Sequence, residues 1–190
     1  SLLSRGDNPR RAISDMYVYR GIILDRNNIP LTANTGEPSA YVRESLYPAL
    51  SAVIGYSDPN YGQTGIEYKM DGYLRGLTTN SSFNVDSLRL LYGQDPPGFD
   101  LRLSLDLPLQ QVTDQSLAPY TGAVVLINAD NGEIMVMSTS PTFDANQLEE
   151  KWQTWMEDEN APLLNRATQA LYPPGGVTGG IILARFLSEY

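Results

Sequence analysis

The chain has 190 residues, 42% of them hydrophobic, which is enough for one good core or two small ones side by side and too apolar for wholesale disorder. Its net charge of −9 argues against nucleic acid as a main partner, because phosphate binding needs a basic face. The absence of Cys and His excludes disulfide frameworks, thiolate catalysis, Cys-based zinc sites, and Ser-His-Asp or Cys-His chemistry.

Residues 1–20 read as polar, basic and extended, with Arg5, Arg10, Arg11 and Arg20 against Asp7 and Asp15. The abrupt start at Ser1-Leu2-Leu3 suggests a boundary just past something removed, and no signal peptide is visible. RGIILDRNNIPL (20–31) carries a β-type apolar run at 22–24 and a turn at Asn27-Asn28. YPALSAVIGY (47–56) is an apolar segment closed by the turn signal Ser57-Asp58-Pro59-Asn60. QTGIEYKMDGYLRGL (63–77) is predicted to be a helix. Thr64 and Glu67 stand at capping-box spacing, and Ile66, Met70, Tyr73, Leu74 and Leu77 form one apolar stripe.

Residues 78–98 read as loops around a short amphipathic piece at 85–91, and QDPPGFD (94–100) marks the weakest boundary. Leu101, Leu103 and Leu105 alternate as in a strand and lead into a helix, with Asp106 as N-cap and Pro108 in the first turn. GAVVLINADNGEIMVMSTSP (122–141) predicts a β-hairpin turning at Asp130-Asn131-Gly132, and its apolar arms predict cover on both faces. Residues 144–159 predict a helix with Leu148, Trp152 and Trp155 on one face. Leu183, Phe186, Leu187 and Tyr190 predict a terminal amphipathic helix after the Gly-rich GGVTGG.

Without His or Cys, a nucleophilic enzyme needs Ser or Thr activated by Lys, an acid or an N-terminal amine. The two lysines, Lys69 and Lys151, have Ile66 and Leu148 three residues before them, so a Ser-x-x-Lys pair is absent. Ser82-Phe83-Asn84 matches Ser-x-Asn only as three letters in a Ser/Asn-rich loop. Glu149, Glu150, Glu157, Asp158 and Glu159 read as a solvated helix face rather than a glycosidase pair. Asn128, Asp130, Asn131 and Glu133 miss the EF-hand spacing and suit a tight hairpin; Trp152 and Trp155 suit packing better than sugar binding. Asn80-Ser81-Ser82 is a weak glycosylation sequon. No metal or cofactor is expected. Arg20, Asp25, Arg26 and Glu67 are read as an ion-pair network that orients elements rather than performing chemistry.

Five stretches in order resemble the class B penicillin-binding proteins: RGIILDRNNIPL (20–31), YGQTGIE (61–67), LRLSLDLPLQQ (101–111), GAVVLINADNGEIMVMSTSPTFDAN (122–146) and LLNRATQALYPPG (163–175). The resemblance implies an α+β chain in two parts. Residues 1–98 would be a short-pedestal N-terminal or dimerisation domain. Residues 99–190 would be a partial transpeptidase domain, with its first hairpin at 122–140, a joint near 175–180 and a C-terminal helix at 181–190 packed beside that hairpin. It further implies a bacterial, extracytoplasmic location behind an N-terminal transmembrane helix not present in this chain. A partner membrane glycosyltransferase is implied, as are peptidoglycan stem peptides and β-lactams as ligands of the intact parent. Arg20, Asp25, Arg26, Glu67 and Arg166 would be structural or interdomain residues.

The family's YPPG is followed by Ser-x-x-Lys, in which Ser is acylated and Lys assists proton transfer. Here those positions are Gly176 and Gly179, and the later Ser-x-Asn and Lys-Thr-Gly elements are also absent. The chain is therefore expected to be inactive. Its GGVTGGIILARFLSEY (175–190) resembles the family's extreme C-terminus, as though the two ends of the domain were joined near 175–176. A designed deletion, a degenerate paralogue or a stretch absent from the sequence each fits that joint. Truncation of the sheet is expected to cause self-association through the hairpin half. The rival reading is an interaction module that docks on the glycosyltransferase or on itself; a third is a peptidoglycan-binding domain.

Overall fold

The structure, a computed structural model, describes residues 19–37, 40–77, 98–173 and 176–189. The basic residues Arg5, Arg10 and Arg11, the Asn80 sequon, Ser82-Phe83-Asn84, the amphipathic piece at 85–91 and residues 94–97 of the boundary lie outside the described residues.

Strand β1 (Ile23–Leu24) is followed by the turn at 26–28, where Asn28 takes a left-handed conformation. Strands β2 (Thr32–Thr35) and β3 (Val42–Ser45) form an antiparallel hairpin that the sequence pattern did not announce, because neither strand alternates apolar and polar residues. A 3-10 turn (Pro48–Leu50) runs into the short helix α1 (Ser51–Ile54). Asp58 closes the next turn by accepting from the N–H groups of Asn60 and Tyr61, between the two-residue strands β4 (Ser57–Asp58) and β5 (Gly62–Gln63).

The helix expected over 63–77 is two helices, α2 (Gly65–Lys69) and α3 (Asp71–Leu74), separated at Met70 with φ −103° and ψ 14°. The capping box does not form: Thr64 occupies the N-cap without a side-chain bond to the helix. The Glu67 carboxylate is drawn instead to two buried arginines, a stronger attraction than a single N–H.

Strand β6 (Leu101–Arg102) pairs in parallel with β1. The close approach requires Gly21, where a Cβ would lie 1.8 Å from the Phe99 carbonyl oxygen. Asp106 caps α4 (Leu107–Leu117) by accepting from Leu109 N–H at 3.2 Å, as its sequence predicts. Strands β7 (Gly122–Ile127) and β8 (Ile134–Ser140) form the predicted hairpin, with Gly132 at φ +76° in the turn. Cover on both faces holds for β8 but not for β7. Val136, Ser138 and Thr139 are buried, whereas Val125, Leu126 and Ile127 are exposed, because α4 and the core meet the hairpin on the β8 side. Asp144 caps a 3-10 turn (Ala145–Gln147) that continues into α5 (Leu148–Glu157), whose Glu149 and Glu150 lie in the favourable first turn.

One core draws on both sides of residue 98: Ile23, Leu31, Leu50, Ile54 and Leu74 pack with Leu105. A second cluster stacks Tyr56, Phe143 and Leu148 with Tyr61, Trp152 and Trp155. Ser45 and Asn146 exchange two bonds at 2.8 and 2.9 Å, which ties β3 to the turn before α5. The last helix, α6 (Val177–Glu189), begins four residues before the expected start at 181, and Tyr190 lies outside the described residues. Its Ile182, Leu183, Phe186 and Leu187 share one face and are exposed, so the expected burial of that face beside the hairpin is not seen. Among the described residues no helix is long and apolar enough to cross a membrane.

Candidate functional site

The charges singled out in the sequence occupy four separate places. Arg20 and Glu67 meet in a buried cluster between β3 and α2. The Arg20 guanidinium donates to Glu67 Oε2 at 2.9 Å and to Asp71 Oδ1 at 2.7 Å. Arg43 donates to Glu67 Oε1 at 2.7 Å, to Asn34 Oδ1 at 3.0 Å and to the Gly21 carbonyl at 2.9 Å. Gln63 bridges Asp71 to Ser57. Burial pulls the pKa of both guanidiniums down. For Arg20 the Glu67 charge and the bonds to Asp71 outweigh burial, and the pKa rises. Arg43 has one carboxylate and is repelled by Arg20, so burial prevails and the pKa falls.

Asp25 is fully buried but belongs to a loop anchor. Its Oδ1 accepts from Asn27 N–H at 2.7 Å and Ile29 N–H at 2.8 Å, and its Oδ2 from Leu107 N–H at 3.2 Å, where α4 begins. Arg26 makes a half-exposed pair with Glu133 at 3.6 Å. Arg166 is buried and pairs with no carboxylate among the described residues. Its guanidinium donates to the carbonyls of Pro141, Asn160 and Ala161, clasping the 158–166 loop to the end of β8. Asn165 reaches across to the Ala52 carbonyl at 3.1 Å.

A further polar group was not read from the sequence. Gln110, fully buried, donates to the Met137 carbonyl and accepts from the Met137 N–H, both at 3.0 Å. Asp114, one helical turn on, accepts from Gln110 at 2.9 Å, from Tyr47 Oη at 3.1 Å and from the Ser138 hydroxyl. Burial, with the Asp114 charge and hydrogen bond, pushes the Tyr47 pKa up to about 12. The run LPLQQ shows only that a glutamine lies on α4; its pairing with a strand 27 residues away leaves no local signal.

A cleft of about 540 Å³ opens between α1, α2 and α5, lined among others by Val53, Tyr56, Ile66, Lys69, Trp152 and Asn165. Its cation, Lys69, sits 5.6 Å from the Tyr68 ring centroid. Ser51 lies in the cleft wall, is buried, and has Ile54 rather than a base one helical turn on. Gly176 and Gly179 stand at the start of α6, where a Cβ would meet open space. The described residues hold no cluster of His, Cys, Asp or Glu suited to a metal. The cleft offers aromatic and amide surfaces for binding.

Residues 122–184 match the family described as Penicillin binding protein transpeptidase domain, a range that includes 175–180 and the first half of α6. The peptidoglycan D,D-transpeptidase MrdA of Acinetobacter baumannii is 37% identical over 124 residues, 60% of this chain and 18% of that protein. PbpA of Mycobacterium tuberculosis is 28% identical over 159 residues, 75% of this chain and 32% of that protein. The structure of penicillin-binding protein A from M. tuberculosis as an imipenem acyl-enzyme superposes with a TM-score of 0.81 at 25% identity, over 92% of this chain and 43% of that one. The PBP2 of Helicobacter pylori in complex with MreC shares the fold at a TM-score of 0.69 and 21% identity, over 92% of this chain and 52% of that one. The chain shares the mixed α/β fold of these transpeptidases, and its match at 122–184, its relatives and its fold together support a class B penicillin-binding protein. It spans between 18% and 32% of the length of the curated relatives it matches.

Proposed function

We propose that this chain corresponds to an extracytoplasmic part of a peptidoglycan D,D-transpeptidase and is itself catalytically inactive. The parent reaction is acyl transfer: serine attacks D-Ala-D-Ala, the terminal D-Ala leaves, and an acceptor amine takes the acyl group and releases the serine. The observation that carries the inactivity is the pair Gly176 and Gly179. They lie one helical turn apart at the start of α6, where the resemblance places serine and lysine. Glycine offers neither an oxygen to acylate nor a nitrogen to move its proton. Residues 1–98 act as a short pedestal, residues 99–190 as a partial transpeptidase domain, and a transmembrane helix in the parent anchors both outside the membrane.

Incubation with benzylpenicillin followed by intact-mass measurement tests this. An unchanged mass is expected. A one-to-one adduct would overturn the proposal, since penicillin traps the same acyl-enzyme as the substrate.

A second reading, an interaction module, is favoured by the fold likeness to a PBP2 bound to MreC and by the packed core of Leu31, Leu50, Ile54 and Leu74. In this reading the module docks on a partner glycosyltransferase or on a second copy. Co-purification of the full chain with a candidate glycosyltransferase distinguishes it; a chain that binds no such partner and stays monomeric would refute it.

A further inference from the structure

A second cavity, of about 350 Å³, lies between the β2–β3 hairpin, the β4–β5 turn and the first turn of α5. Arg20, Asn34, Arg43, Ser57, Asp58 and Glu149 are among the residues of its wall. The Arg43 side chain is 6% exposed, and its one carboxylate among the described residues, Glu67, is shared with Arg20. A guanidinium has five N–H groups. Three are committed here, from Nε to Glu67, from Nη1 to Asn34 and from Nη2 to the Gly21 carbonyl. One N–H on each terminal nitrogen is therefore left without an acceptor among the described residues. Ser57 accepts from Gln63 at 2.8 Å, and its own hydroxyl proton has no acceptor among the described residues. The same wall carries negative charge. Asp58 Oδ1 accepts from the N–H groups of Asn60 and Tyr61, and neither Asp58 nor Glu149 forms an ion pair among the described residues.

We propose that this cavity binds a small zwitterion of the free amino-acid type, with its carboxylate on Arg43 and its ammonium beside Asp58 and Glu149. The cavity holds spare donors and unpaired carboxylates that do not meet one another. A plain anion would face the two acids and a plain cation the two arginines, so a ligand of both signs offsets both. Two N–H groups on one guanidinium suit the two oxygens of a carboxylate, and Ser57 adds a hydroxyl donor. Glu67 and Asn34 hold the guanidinium in place, so its spare donors are oriented before a ligand arrives. A further strand or helix laid over the cavity would bury these charges without pairing them, a cost that a small charged ligand avoids. The volume lies in the range of small-molecule sites. No residue of the wall lies at 175–180, so the inference stands or falls independently of whether the chain is acylated by penicillin.

Ligand-observed NMR on the full chain tests this. Glycine, β-alanine and γ-aminobutyrate are the zwitterionic probes, in order of increasing charge separation. Acetate, inorganic phosphate and methylammonium are the probes of one sign. At least one zwitterion is expected to bind about tenfold more tightly than every probe of one sign. Asp58→Asn with Glu149→Gln keeps the shape of the wall, and asparagine retains an oxygen for the 58–61 turn. In that double variant zwitterion binding is expected to fall about tenfold, while acetate binds no more weakly than before. Arg43→Lys keeps the charge and loses the fork, and is expected to abolish zwitterion binding. Glu133→Gln, in the β7–β8 turn, is the control and leaves binding unchanged. A chain that binds none of the zwitterions overturns the proposal. Acetate or phosphate bound as tightly as the zwitterions overturns it too, as does a zwitterion preference that survives Asp58→Asn with Glu149→Gln.

Discussion

Replacing Glu67 by alanine removes the carboxylate that joins two buried arginines. Its side chain is 1% exposed, with those of Arg20 and Arg43 at 4% and 6%. Arg20 keeps Asp71 at 2.7 Å, but Arg43 is left with Asn34 and the Gly21 carbonyl and no counter-charge. Breaking a buried pair from one side costs about 3–5 kcal/mol, because the surviving charge stays out of water. For a chain of this length each kcal/mol moves the melting temperature by about 2–4 °C, so a fall of about 6–20 °C is expected. Thermal unfolding followed by near-ultraviolet circular dichroism reads it. Glu133→Gln serves as control: its pair with Arg26 is 44% and 33% exposed and is worth at most about 1 kcal/mol. The double substitution Glu67→Met with Arg43→Met should recover much of the loss, because both charges leave together. A Glu67→Ala shift no larger than that of the control would refute the reasoning.

Two further outcomes follow from the same packing. Tyr47 is expected to remain un-ionised in ultraviolet titration until about pH 12, and Asp114→Asn should bring its transition down by removing the charge that helps raise it. The folded pKa lies above the ordinary tyrosine value near 10, so the stability it contributes is complete below about pH 10 and is lost between about 10 and 12; a tyrosine spectrum that titrates wholly near pH 10 would contradict this. Gly21→Ala forces a methyl group to within 1.8 Å of the Phe99 carbonyl oxygen, and urea unfolding should show a loss of at least about 1–3 kcal/mol as β1 and β6 are pushed apart. An unchanged midpoint would mean that the two strands are not in contact.

Elements with a local cause were legible in the sequence. Asp106 before Leu-Pro reads as an N-cap, and Asp130-Asn131-Gly132 reads as a hairpin turn. Trp152 and Trp155 fall on one face of a helix because their spacing and that of Leu148 match its period. The family resemblance was equally visible, since it resides in ordered short motifs, and so was the presence of glycine at 176 and 179, where the resemblance leads one to expect serine and lysine.

What the sequence could not supply were the partners of charged and amide side chains. Glu67 stands at capping distance from Thr64, yet its carboxylate goes to arginines 47 and 24 residues away, because two buried cations outweigh one backbone donor. Asp25 and Arg26 are adjacent in the chain but serve separate contacts, at the start of α4 and the β7–β8 turn. The apolar arms of the hairpin suggested equal cover. Only the tertiary structure decides that α4, through Gln110 and Asp106, closes the β8 edge while β7 stays open, because a strand's hydrophobicity does not encode which neighbour takes its backbone hydrogen bonds.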